Sequence, residues 1–468
     1  MANTKYQGLY ILFVYMGFSI LLGLQFGLLS QFFPNKKPLS WLKILQISSV
    51  WFLFEWSRLF FLTGFAWNQV GFALASQTTS AQLASIVGIY GLSWVVIAVN
   101  LLGLNFLSYP SKLHLARYLC ILTLPYAYGY VHINVVKNLD KPVKELRVAL
   151  VQTGILPDEK AIIGGRENKF ISPINQWRLL LSCLEKCDDK SFDLIVLPEC
   201  ALPFEAYSPV YPISSLKNVF PNDLATHQEI AEKGSFESRG GNLFVSNVYL
   251  MSYLANHFNS EVIAGLEGCE KDKYFNSAFH FMPNIFQAQR YDKRALLPFA
   301  EYLPLKSLKF LTTYFGLEDF FSFGSKPVVS NGMFKTGLSI CYDECIPSLI
   351  RQTRREGAEI IVNVTNDGWY PDSLLPEQHL AHGRLRAIEN GIPILRACNT
   401  GVTSAINQFG EVLGCLGTNT KEFNKKKGIL DINLHVSTYR TIYTFVGDVF
   451  YVVLCSICAL LPFKRVYT

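Results

Sequence analysis

Leu338-Ser339-Ile340-Cys341-Tyr342-Asp343-Glu344 is a short apolar run that gives way, at Cys341, to a thiol and two carboxylates. Residues 336–342 read as a buried strand, and α/β sheets build their sites where the C-terminal ends of strands meet loops. Two further reactive groups lie upstream. Glu199 closes the apolar run Leu194-Ile195-Val196-Leu197-Pro198, and Lys293 precedes the turn Leu296-Leu297-Pro298-Phe299-Ala300-Glu301-Tyr302-Leu303-Pro304. A carboxylate, an amine and a thiol, two of them on strand ends, predict one site.

Around these positions β-rich and helical stretches alternate. Residues 148–152, 193–197, 242–250, 276–282, 336–342, 359–364, 394–398, 402–408 and 428–432 read as strands. Residues 176–186, 347–356 and 379–390 carry helical apolar spacing, the last ended by Gly391 and Pro393. The alternation predicts an α/β sandwich with helices covering sheets.

Outside this region the chain changes character. It has 468 residues, 50% of them hydrophobic and only 17% charged, which is too apolar for an ordinary soluble domain. The excess is concentrated in stretches long enough to cross a bilayer: 6–35, 44–62, 82–107, 118–136 and 442–463. The expected layout is a helical membrane part over 1–138, a globular insert over 139–440 and a closing membrane helix with its tail over 441–468. Lys36, Lys37, Lys43, Lys112, Arg117, Lys464 and Arg465 then share one face, which the positive-inside rule makes cytoplasmic. The insert is expected on the other side, together with Met1, unless an odd number of helices precedes it. The first stretch is too long for a signal peptide and lacks a basic start and a small-residue cleavage site.

The net charge of +6 is modest, and Lys425-Lys426-Lys427 reads as a solvated turn, so no nucleic-acid partner is expected. Eleven cysteines are an odd number without framework spacing, and Cys183 and Cys187 read as buried thiols. Cys455 and Cys458 lie in an apolar helix and make a poor zinc half-site.

A thiol near its ordinary pKa is mostly protonated at neutral pH and needs a base or a nearby cation. Glu199 fits the base and Lys293 the cation, which would also serve the oxyanion of a tetrahedral intermediate. The backbone N–H of Tyr342 is placed to complete an oxyanion hole. Singly, each residue has a plainer reading: a buried thiol, a turn carboxylate, a surface lysine.

The longer motifs decide the matter. Glu199, Lys293 and Ile340-Cys341-Tyr342, in this order, resemble the nitrilase superfamily, whose sites use Glu, Lys and Cys. Residues 291–304 resemble a K-x-x-L-V-P-F-G-E-Y-x-P block of the apolipoprotein N-acyltransferase family. Val364-Thr365-Asn366-Asp367-Gly368-Trp369, Arg386-Ala387-Ile388-Glu389-Asn390-Gly391 and Arg396-Ala397-Cys398-Asn399-Thr400-Gly401 are similar to its later blocks. Glu55-Trp56-Ser57-Arg58, Thr63-Gly64-Phe65-Ala66-Trp67 and Gly88-Ile89-Tyr90-Gly91 are similar to its membrane blocks. Departures are small: Ala300 stands for a usual Gly, Asp343 for a common Glu, and Gly368-Trp369-Tyr370 for Ala-Trp-Phe.

The resemblance implies a nitrilase-like αββα sandwich inserted in an α-helical transmembrane bundle of a bacterial inner membrane, with the catalytic domain in the periplasm. It implies transfer of an acyl chain from a phospholipid to the amine of a diacylglyceryl-modified apolipoprotein through a Cys341 thioester. Glu301 would be a second essential carboxylate and Tyr342 a supporting residue, with no metal or organic cofactor. A membrane-tethered amidase and an inactive scaffold are the competing readings.

Three further expectations concern the bilayer. Residues 305–323, rich in aromatics, would form an apolar arm on the membrane or a helix packed on the sandwich. Glu205, in the 204–220 loop, reads as a solvated carboxylate. Glu55 and Arg58, three apart, are expected to pair on one helix face and lock the bundle.

Overall fold

The computed structural model describes residues 9–33, 38–139, 144–160, 169–185, 191–220, 236–304, 321–369, 373–417 and 426–460. The basic residues at 36, 37, 464 and 465, Cys187, and positions 305–320 of the expected arm lie outside them.

Among the described residues fifteen strands follow in order: β1 (Lys144–Gln152), β2 (Leu194–Val196), β3 (Tyr211–Pro212), β4 (Phe236–Arg239), β5 (Asn242–Val245), β6 (Glu261–Glu270), β7 (Lys273–Met282), β8 (Ile285–Asp292), β9 (Val329–Asn331), β10 (Lys335–Ile340), β11 (Ile360–Thr365), β12 (Ile394–Cys398), β13 (Ser404–Ile406), β14 (Val412–Cys415) and β15 (Gly428–Val436). Two six-stranded sheets result, ordered β15-β1-β2-β6-β7-β8 and β14-β13-β12-β11-β10-β9. In each the central strands run parallel and the outer ones antiparallel.

Side chains alternate across each strand, and that period of two builds the layers. From β1, Leu146, Val148 and Leu150 enter the core between the sheets, while Ala149 and Val151 face outward. From β11, Ile360, Val362 and Val364 enter the same core and Ile361 faces the other way. The outer faces are covered by helices Pro173–Glu185 and Asn247–Phe258 on one side and Pro347–Arg355 and Leu375–Asn390 on the other. The expected αββα sandwich is the fold.

Some local expectations need correction. The strand expected over 242–250 stops at Val245, and helix Asn247–Phe258 follows, with Ser246 accepting from Tyr249 N at its start. The helix is buried on nearly every side, so its apolar run mimics a core strand. The strand expected over 402–408 shrinks to β13, and β6 and β8 had no counterpart in the sequence reading.

Among the described residues three helices are long and apolar enough to cross a membrane: Ala84–Ser108, Lys112–Leu139 and Ile442–Ala459. Helix Leu9–Ser30 carries no charged residue. The stretch expected as a span over 44–62 is helix Trp41–Ser57, seventeen residues, followed by a tighter turn over Arg58–Phe60. Glu55 and Arg58 feel each other's charge but form no direct ion pair. Glu55 accepts from Trp51 Nε1 and Val70 N, and Arg58 donates to Gln25.

Two of the long helices are broken where a glycine takes a positive φ: Gly88 (φ 64°) and Gly447 (φ 62°). A Cβ at Gly88 would lie 2.4 Å from the Tyr443 ring. Sandwich side chains close both breaks. Glu389 Oε1 accepts from Ile89 N at 2.9 Å, and Arg351 donates to the carbonyls of Tyr443, Thr444 and Phe445.

Candidate active site

Glu199 stands three residues beyond β2 and is buried. Lys293 directly follows β8 and is 1% exposed. Its backbone is fixed on both sides: its N–H donates to Asn276 O at 2.9 Å, and its carbonyl accepts from Gly324 N at 2.8 Å. Lys293 Nζ lies 3.2 Å from Glu199 Oε1 and 2.7 Å from Glu301 Oε1. Asn276 Nδ2 donates to the same two carboxylates, at 2.7 Å and 3.1 Å. Glu301 is held in turn by Leu297 N, 2.8 Å from its Oε2.

Burial alone would discharge Lys293. Glu199, then Glu301 and Cys341, outweigh it and hold the ammonium well above the usual lysine range. Because two carboxylates share the lysine, protonation of one leaves its charge still paired.

Cys341 begins a tight helical turn, Cys341–Cys345, directly after β10. Its φ of 46° is a left-handed conformation that a β-carbon makes costly, of order 1–3 kcal/mol. Cys200 (φ 42°), beside Glu199, and Phe299 (φ 63°), in the turn carrying Glu301, are held the same way. Each of the three site loops therefore stores strain. The Cys341 thiol is pushed well above its usual range by burial and by Glu199, with Lys293 pulling it down. Burial therefore favours the neutral form of the Cys341 thiol.

Asp343 ties the loops together. Its Oδ1 accepts from the N–H groups of Arg294 and Ala295, and its Oδ2 from Ile340 N and the Tyr291 hydroxyl. Tyr342 splits its duties. Its N–H is among the first in a helical turn, which find no partner inside the turn. Its hydroxyl leaves the site, donating to Gly64 O at 3.0 Å and accepting from Ala66 N at 3.2 Å, and its ring stacks on Trp67. Glu205 is half-buried, accepts from Ser208, and stands apart from the lysine-centred set.

The geometry brings Glu199, Lys293 and Glu301 into one hydrogen-bonded set that Cys341 feels electrostatically. Sequence reasoning missed Asn276, Asp343 as the tie, and Lys160. The last is buried beneath Glu199, donating to the carbonyl of Cys200 and to Asn399 Oδ1, while Asn399 donates to the Glu199 carbonyl. Asn399 sits in a quoted block without a role, and Asn276 opened a stretch read only as strand. Among the described residues no three His, Cys, Asp or Glu side chains gather as metal ligands do, and no disulfide joins the described cysteines.

A thiol, a carboxylate and a lysine ammonium thus gather at the ends of a two-sheet sandwich, and the family model described as carbon-nitrogen hydrolase matches residues 147–439. A second model, described as apolipoprotein N-acyltransferase N-terminal domain, matches residues 1–102. Apolipoprotein N-acyltransferase from Chlamydia pneumoniae is 32% identical over 429 residues, covering 88% of this chain and 74% of that one. The Chlamydia caviae protein of the same name is 32% identical, covering 93% and 80%. That of Geobacter metallireducens is 28% identical, covering 90% and 74%. A carbon-nitrogen hydrolase from Helicobacter pylori superposes with a TM-score of 0.40 at 20% identity, covering 63% of this chain and 91% of that one. The chain belongs to the apolipoprotein N-acyltransferase family: it is a bacterial membrane acyltransferase of lipoprotein maturation. The amidase and scaffold readings are not favoured.

Proposed function

We propose that the chain carries an acyl group from a membrane phospholipid to the N-terminal amine of a diacylglyceryl-modified apolipoprotein, with Glu199, Lys293 and Cys341 as the catalytic residues. The observation that carries this is the Lys293 ammonium, shared between Glu199 and Glu301 within charge range of the Cys341 thiol. The catalytic domain, residues 139–440, would face the periplasm between membrane parts at 1–138 and 441–468. The basic residues Lys43, Lys112 and Arg117 support that side.

Glu199 takes the thiol proton as sulfur attacks the ester carbonyl. The new oxyanion is met by the Lys293 ammonium and the Tyr342 N–H. The C–O bond then breaks, and the leaving alkoxide takes the proton from Glu199 and departs as a lysophospholipid. In the second half the neutral amine attacks the thioester, Glu199 removes its proton, the C–S bond breaks and the thiol is restored. Lys293 stays charged throughout because Glu301 remains beside it whenever Glu199 is neutral.

The test is intact-mass analysis after incubation with phosphatidylethanolamine, beside Cys341→Ala. A hydroxylamine-sensitive acyl adduct on the unaltered protein alone is the expected result. Its absence in folded protein rejects the thioester route.

A further inference from the structure

The carbonyl of Cys341 accepts two side-chain hydrogen bonds, from His379 Nε2 at 3.2 Å and Asn363 Nδ2 at 3.3 Å. His379 Nδ1 lies 2.8 Å from Asp367 Oδ1, and its Nε2 is also 3.5 Å from Glu344 Oε2. Both ring nitrogens therefore face oxygen acceptors. A neutral imidazole would aim a lone pair at one of them, whereas the doubly protonated ring donates to both.

The charge balance agrees. His379, Asp367, Glu344 and Arg396 are all buried, and Arg396 Nε pairs with Glu344 Oε2 at 3.0 Å. Two carboxylates thus meet one guanidinium, and a charged His379 completes the neutralisation. Among the described residues Asp367 Oδ2 and Glu344 Oε1 have no hydrogen-bond partner, which leaves negative charge for the ring to offset. The other groups around the ring are the Cys345 thiol, the Trp67 edge and His382 one turn on, which has Arg386 beside it. Burial opposes a charge on His379, but Asp367, with Cys345, outweighs it and holds the ring well above the usual imidazole range. His382, by contrast, is pushed well below that range by burial and Arg386.

The bonded carbonyl belongs to the Cys341–Tyr342 peptide, and in a planar trans peptide C=O and N–H point opposite ways. Fixing one fixes the other, and a cationic donor on the oxygen draws electrons from the nitrogen and strengthens the N–H as a donor. We propose that His379, charged and held by Asp367, is a positioning residue for acyl transfer: it pins and polarises the Cys341–Tyr342 peptide so that the Tyr342 N–H meets the tetrahedral oxyanion. The inference rests on Cys341 forming the thioester.

Two reactions of one thiol test it, on the full-length protein. Acylation by phosphatidylethanolamine passes through an oxyanion; alkylation by iodoacetamide does not. In His379→Ala, acylation should fall about 30- to 100-fold, in the range of a weakened oxyanion donor, while alkylation stays within about 3-fold. His379→Gln, which keeps a donor and loses the charge, should fall between, about 5- to 10-fold down in acylation alone. Equal losses in both reactions would make the role purely architectural and overturn the inference, as would unchanged acylation in either variant. Should His379→Ala fail to fold, the ratio of the two rates in His379→Gln decides alone. An unaltered protein that alkylates but never acylates sinks the thioester reading, and this inference with it.

Discussion

The two halves of the site are built on different principles. The β2–β8 side supplies Glu199, Asn276, Lys293 and Glu301, whose side chains hold one another at 2.7–3.2 Å. Opposite charges preorganise that half. The β10–β11 side supplies Cys341 and the Tyr342 N–H and holds them by backbone, with a left-handed φ and a carbonyl clasped by two donors. On the proposed route the charged half governs protons and can be altered by changing charge. The thiol half governs direction and can be altered only through what grips its peptide. Asp343, bonded to both loops, keeps the halves in register.

Removing the cation should break the charged half most. Lys293→Met leaves Glu199 and Glu301 facing each other across Asn276 and removes an oxyanion partner. Acyl-enzyme formation should drop about 10³-fold, roughly 4 kcal/mol of barrier. A rate within 10-fold of the unaltered protein would mean that this half does not act in the chemistry.

Beneath Glu199, Lys160 tests whether the same half is supported by charge. Burial lowers its ammonium from 10.5 to about 8. Between those values the unfolded chain binds a proton that the folded one does not, so this group's contribution to stability rises with pH from 8 to 10.5. Its burial costs most below pH 8. The stability of the unaltered protein relative to Lys160→Met should therefore grow by up to about 3 kcal/mol across that window. A flat difference, read from unfolding midpoints at each pH, would show that Lys160 does not titrate there.

The smallest effect should come from Asn276→Ala, which removes one amide shared by two carboxylates. Acylation should slow about 10- to 30-fold, as expected for loss of a hydrogen bond to a charged group. No slowing would show that Lys293 alone aligns Glu199 and Glu301, sharpening the contrast between a half run by charge and a half run by backbone.

The sandwich was legible because its strands alternate or run apolar and end at turn residues. Of the three proposed catalytic groups, Glu199 and Cys341 stood out because each ends an apolar run, and Lys293 because it precedes an apolar turn rich in proline. Asn276, Asn363 and His379 were not legible as site residues, since a polar side chain in a strand or helix has no spacing of its own. Only the pairing of β7 with β8, of β10 with β11, and the packing of helix Leu375–Asn390 bring them to their partners. Helix Asn247–Phe258 was misread for a related reason: an element buried all round loses the period that distinguishes helix from strand. Tyr342 was legible by its backbone alone. Its position after the nucleophile pointed to the N–H, whereas its ring bonds a bundle loop some 278 residues away in sequence.

The two interrupted helices carry a consequence for biogenesis. An open backbone group facing lipid costs several kcal/mol, and here both interruptions are closed by Glu389 and Arg351 of the sandwich. The Tyr443 carbonyl waits on a guanidinium made 92 residues earlier. Helix Ile442–Ala459 therefore settles against a sandwich that has already folded, so its docking checks the fold of the domain that supplies Arg351.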